Sequence, residues 1–136
     1  MKTMAVGKVG STILKYHNED KPADDEWDVF VEALRTAGPG TTAILTLTDG
    51  GGPTPTQRKR AAQAILTRDE PIPAAVLSDS MVVRGMITAV KWMGVSIAAF
   101  RPSELDEALG YLGLPLASKR PIEEAFARLK ASVQSG

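Results

Sequence analysis

The sequence contains no cysteine. That excludes disulfides, thiolate catalysis and Cys-ligated zinc or iron–sulfur sites. His17 is the single histidine, so a zinc site built on two or three histidines is excluded as well. Neither sign of charge is in excess, because 16 Lys plus Arg balance 16 Asp plus Glu. A chain that grips nucleic acid through its phosphates carries a basic surplus. The balance therefore argues against a nucleic-acid partner, and against a polybasic membrane anchor. No apolar run approaches the roughly 18 residues of a membrane span. The opening stretch, MKTMAVGKVGS, lacks the apolar core of a signal peptide. These absences lead to the expectation of a cytoplasmic protein without a membrane span.

What is present is globular in composition. The chain has 136 residues, of which 43% are apolar and 24% charged, the size and make-up of one ordinary domain. Strand-like and helix-like segments alternate along it. Met4 to Val9 and Thr12 to His17, separated by Gly10-Ser11, read as a hairpin. In the second segment Ile13 alternates with Lys15 and His17, and Leu14 with Tyr16. Asp24 or Asp25 is placed to cap a helix in which Trp27, Phe30, Val31 and Leu34 recur on one face. Gly38-Pro39-Gly40 stops it. Thr42 to Thr48, β-branched and apolar, reads as a buried central strand. A helix follows from about Thr56 to Arg68, then a short strand from Pro73 to Ser78. Ser78 or Ser80 is placed to cap a helix reaching about Met93, and Val95 to Phe100 is the last strand. Ser103 can cap the next helix, with its stripe of Leu105, Ala108, Leu109 and Leu112. Beyond Pro115, the residues Ile122, Phe126, Leu129 and Val133 mark a final amphipathic helix.

The expected fold is α/β. A mixed, mainly parallel sheet of four or five strands is flanked by helices, in the order β-β-α-β-α-β-α-β-α plus a C-terminal helix. Residues 1–114 form the α/β domain and residues 115–136 a helical extension, with Gly113 to Lys119 as its hinge.

This order resembles the STAS family, the fold of anti-sigma-factor antagonists, and within it the divergent SpoIIAA-like proteins of bacteria. The resemblance spans roughly residues 3–114. It rests on the element order, the strand ending LSDS, the helix MVVRGMITAVKWMG and the following VSIAAFRPSELDEAL. It implies a non-enzymatic regulatory module for signalling through protein–protein contacts. In regulatory members a Ser or Thr at the start of the helix after the third strand is phosphorylated by a partner kinase, which switches partner binding. Where those members carry Asp-Ser-Ser-Gly or Asp-Ser-Thr-Gly, this chain reads DGGGPTPTQRKR, leaving Thr54 and Thr56 as the nearby hydroxyls.

The Gly-rich loop is the sharpest local feature. Asp49-Gly50-Gly51-Gly52 lies between a strand and a helix start, where backbone N–H groups can face an anion. Arg58, Lys59 and Arg60 sit in the first turns of that helix, where the dipole disfavours positive charge unless an anion is near. The loop matches neither GxxxxGK[ST] nor GxGxxG, and Pro53 and Pro55 remove two donors. Its three readings are a mobile turn with a solvated basic helix start, a regulatory or partner loop comprising Asp49 to Gly52 with Thr54 and Thr56, and a nucleotide-binding loop.

The helix from Met81 to Met93 is apolar on more than one face. Met86, Val90 and Met93 are its candidate interface, covered either by a partner or by the chain's own C-terminal helix. Gly85 is placed to allow a close helix approach. The acidic run Glu19, Asp20, Asp24, Asp25, Glu26 and Asp28 lacks Ca²⁺-loop spacing and reads as helix capping and solvated surface. His17 has no catalytic partner in sequence and no GxSxG elbow is present, so it reads as a strand histidine. No catalytic residue, metal or cofactor is expected. The partner is another protein or a second copy of the chain, as a homodimer. The alternative is a domain that binds a small ligand: a nucleotide, a phosphate or a lipid.

Overall fold

Met4–Val9 (β1) and Thr12–His17 (β2) pair antiparallel across the turn at Gly10 and Ser11. They do so in a computed structural model of the chain, which describes residues 1–135. Ala43–Thr48 (β3), Ala74–Leu77 (β4) and Ile97–Phe100 (β5) then add in parallel, giving a five-stranded sheet in the order β1-β2-β3-β4-β5. The helices between and after the strands are Asp24–Thr36 (α1), Pro55–Leu66 (α2), Met81–Trp92 (α3), Leu105–Tyr111 (α4) and Lys119–Gln134 (α5). The expected α/β class, mixed sheet and element order are those observed.

The period-two alternation of each strand divides the molecule into two cores. On one face Ile13, Ile44, Ala74, Val76 and Ile97 meet α1, α2 and α3 through Trp27, Phe30, Leu34, Ile65, Val83 and Ile87. On the other face Leu14, Tyr16, Leu45, Ala75 and Leu77 meet α4 and α5 through Leu105, Leu109, Leu112, Ile122 and Phe126. The strand order places β2 between β1 and β3, so both of its faces are covered and all six of its residues are buried.

Three local expectations are corrected. The cap of α1 is neither Asp24 nor Asp25. Ala23 takes that position because the Glu26 carboxylate reaches back to the N–H groups of Ala23, Thr3 and Met4 at 3.2, 2.8 and 3.3 Å. The two aspartates occupy the first turn instead, where negative charge suits the dipole. Ser103 does not cap α4. It lies inside the 3-10 turn Pro102–Glu104, and α4 begins only at Leu105. The third correction concerns α5, which packs on β1 and β2 within the second core. It therefore lies across the sheet from α3 and does not cover that helix. Among the described residues no helix is long and apolar enough to cross a membrane.

Candidate functional site

The two cores are unequal. Between the sheet and α1–α3 lies a cavity of about 90 Å³, room for several waters or a small organic group. Its walls are apolar: Trp27 and Phe30 of α1, Ala61, Ala62 and Ile65 of α2, and Val83, Met86, Ile87 and Val90 of α3. Its polar side chains are Lys15 and His17 from β2, Thr46 and Thr48 from β3, and Arg58 from α2. Among the described residues no carboxylate lines it. The partly exposed lining residues Pro53, Arg58, Met86 and Val90 mark its rim.

Lys15 and His17 reach this face because Ile13, Lys15 and His17 share one side of β2 while Leu14 and Tyr16 take the other. In parallel register with β3, Lys15 lies beside Thr46 and His17 beside Thr48. Lys15 is only 7% exposed, and its ammonium nitrogen stands 4.4 Å from the Trp27 ring centre and 4.0 Å from that of Phe30. Burial lowers its pKa to about 7. The ring faces give a cation some compensation, about 2 kcal/mol when desolvated, which is less than the cost of removing an ammonium from water. His17 is 1% exposed, and neither ring nitrogen has a hydrogen-bond partner among the described residues. Burial, and then the nearby positive charge of Lys15, hold its pKa well below the ordinary imidazole value, so the ring is neutral. The buried Nε of Arg58 also lacks a partner, while one terminal nitrogen donates to the Pro53 carbonyl at 3.3 Å. Such a set of unmatched donors is unusual in a folded core, where buried polar groups are almost always paired.

The aromatic roof is fixed in place. Trp27 Nε1 donates to the Gln57 carbonyl at 2.8 Å, and Trp27 and Phe30 meet edge-on with ring centres 5.1 Å apart. The Gln57 side-chain amide in turn donates to the Pro22 carbonyl and to Asp24 at 3.0 and 2.9 Å.

The Gly-rich loop is tied by hydrogen bonds to the Asn18–Asp20 segment and to Thr48. Gly51 donates to the Asn18 carbonyl at 2.8 Å, and any Cβ there would run into the carbonyl oxygens of Asn18 and Asp20. Gly52 lies under the Met86 side chain, whose methyl group would stand 2.8 Å from an added Cβ. Glycine is needed at Gly51 for this close backbone approach, whereas the Met86 chain end over Gly52 is free to shift, and the loop forms part of the cavity rim. The start of α2 leaves little for an anion. Thr54 accepts from the Gln57 N–H at 3.2 Å and its own N–H donates to the Gln57 side chain at 3.0 Å, a closed capping box. Pro55 has no donor. The Thr54 hydroxyl is engaged as the cap, and Thr56 is exposed. Asp49 turns to the other side of the sheet, where it accepts from the Tyr16 hydroxyl at 2.5 Å and pairs with Lys130 of α5 at 3.2 Å. Burial, followed by that bond, raises the Tyr16 pKa.

Of the basic residues after the loop, only Arg58 lines the cavity. Lys59 is exposed and Arg60 pairs with Asp28 at 2.6 Å. On α3, Met86, Val90 and Met93 are half-buried against the first core. The apolar residues that α3 turns outward are Met81, Val82 and Trp92, which are 79%, 71% and 85% exposed. A Cβ on Gly85 would meet open space, so no close helix approach explains that residue. The acidic run contributes single caps and ion pairs, and among the described residues no cluster of three or more acidic or histidine side chains could hold a metal ion. Sequence reasoning missed Lys15, Trp27, Phe30 and Thr46 as site residues. The available signal was the pairing of Lys15 and His17 on the Ile13 side of a strand whose other side is apolar.

The chain matches no protein-family model, no curated protein and no solved structure.

Proposed function

We propose that the protein is a non-enzymatic binding module whose receptor site is the cavity under α1–α3, and that its ligand is a small anion with an apolar body, such as a short carboxylic acid. The observation that carries this reading is that Lys15 and His17 both line a mainly apolar cavity to which no described residue contributes a carboxylate. A carboxylate seated there accepts from the Lys15 ammonium and from a His17 N–H, and it supplies the counter-charge that Lys15 lacks. The apolar walls take the rest of the ligand, which is how small-molecule sites are commonly built. The element order that resembles STAS-like domains supports binding rather than turnover.

The test is a calorimetric titration of the whole protein with hexanoate, hexanol and inorganic phosphate. A charge-assisted hydrogen bond distinguishes the acid from the alcohol by about 1.5 kcal/mol or more. Hexanoate is therefore expected to bind at least about tenfold more tightly than hexanol. Phosphate, lacking an apolar body, is expected to bind more weakly than either. Equal binding of hexanoate and hexanol overturns the assignment.

A second reading is favoured by the outward face of α3. Met81, Val82 and Trp92 form an apolar surface on the same helix whose inner side walls the cavity. This makes α3 the natural docking element for a protein partner or a second copy. Its test is sedimentation of the wild type and Trp92→Glu: a concentration-dependent dimer that the substitution abolishes is expected, and a strict monomer at high concentration removes the homodimer.

A further inference from the structure

We propose that Lys15 is a carbonyl-capturing residue, its ε-amine forming an imine with a small aldehyde or ketone that enters the cavity. This rests on the reading of the cavity as a ligand site and goes beyond it by assigning covalent chemistry to one atom.

Four observations carry the proposal. The Lys15 nitrogen is held over the Trp27 and Phe30 rings at 4.4 and 4.0 Å, beside a cavity rather than inside solid packing. It forms no ion pair among the described residues, so no carboxylate holds it in the charged form. The groups facing it from the packed elements are His17 on its own strand, Thr46 on β3 and Arg58 on α2, with no carboxylate to hold it as an ammonium. Burial lowers its pKa to about 7, so about half of it is the free amine at neutral pH. A desolvated lysine in an apolar pocket is a recognised way of making that side chain nucleophilic.

The chemistry balances without any further reagent. The amine lone pair attacks the carbonyl carbon, the carbonyl π pair moves to oxygen, and one proton passes from nitrogen to that oxygen to give a neutral carbinolamine. The second N–H proton then passes to the hydroxyl, which leaves as water while the nitrogen lone pair forms the C=N bond. Amine plus carbonyl becomes imine plus water, with no change of oxidation state. His17, neutral and with unengaged ring nitrogens, is placed to carry the proton between nitrogen and oxygen. The apolar walls disfavour the charged forms and keep bulk water from the product.

The experiment treats the whole protein with butanal and cyanoborohydride at pH 7, then maps reduced adducts on peptides by mass spectrometry. Lys15 is expected to carry at least about tenfold more adduct than exposed Lys59, whose amine is almost wholly protonated at that pH. In urea the preference is expected to vanish, and excess hexanoate is expected to suppress it in the folded protein. Lys15→Arg is expected to remove the preferred adduct. If Lys15 is labelled no faster than Lys59 although hexanoate binds, the imine is overturned and the binding site stands. If hexanoate does not bind and Lys15 is unlabelled, both are overturned.

Discussion

The two sides of the sheet are built from the same strands and differ in every respect that matters for function. On the α4–α5 side, Leu14, Leu45, Leu109 and Ile122 are fully buried among other hydrocarbon side chains. On the α1–α3 side, the same strands present Lys15, His17, Thr46 and Thr48 to a cavity. A single-residue step along β2 separates the two environments, from Leu14 to Lys15 and from Tyr16 to His17. One face is filled and contributes stability. The other retains buried donors that weaken the fold, and such local violations of good packing concentrate where a protein binds or reacts.

The comparison can be broken by truncation. Leu109→Ala on the filled face removes a side chain with no exposure and is expected to cost about 4 kcal/mol in chemical denaturation, because the surroundings cannot collapse into the space. Ile87→Ala on the cavity wall removes a side chain that already borders empty space and is expected to cost about 2 kcal/mol. Equal costs would mean that the two faces are packed alike.

Replacing the charge sharpens it. Lys15→Met keeps the apolar stem and removes a buried ammonium, so it is expected to stabilise the protein at pH 6, on the order of 3 kcal/mol. The pH dependence follows from the same residue. Below pH 7 Lys15 is protonated in both the folded and unfolded states, and the folded state bears the full desolvation cost. Between about 7 and the ordinary value of 10.5 the unfolded chain binds more protons, so this contribution makes stability rise with pH. Urea denaturation across pH 6 to 9.5, a range of about the expected width, should show that rise in the wild type and not in Lys15→Met. His17 acts in the same direction at lower pH: its pKa is lowered by burial, so its contribution falls away as the pH drops below the ordinary imidazole value of 6.5.

The filled side was the more legible in sequence. The stripe Leu105, Ala108, Leu109 and Leu112 and the face of α5 repeat at helical spacing. Those signals are local, and the hairpin and the element order follow from them. Which side of the sheet each helix covers is not a local property. The surplus apolar surface of α3 was visible, yet its inward residues proved to be Met86, Val90 and Met93, and α5 went to the opposite side. The alternation of Ile13, Lys15 and His17 with Leu14 and Tyr16 was legible, but only the strand order, with β2 inside the sheet, shows that both sides of the strand are buried. The glycines of the Asp49–Thr54 loop suggested an anion cradle. Gly51 instead lets the loop pass the Asn18–Asp20 backbone.

The most direct test of the unequal faces is a hexanoate titration followed residue by residue through backbone amide NMR shifts. The account predicts that saturable shifts concentrate at the cavity, with Thr46, Thr48, Gly52, Ala62 and Ile87 among the largest, while Leu109, Ile122 and Phe126 stay still. Shifts centred on α4 and α5, or none at millimolar hexanoate, would contradict it.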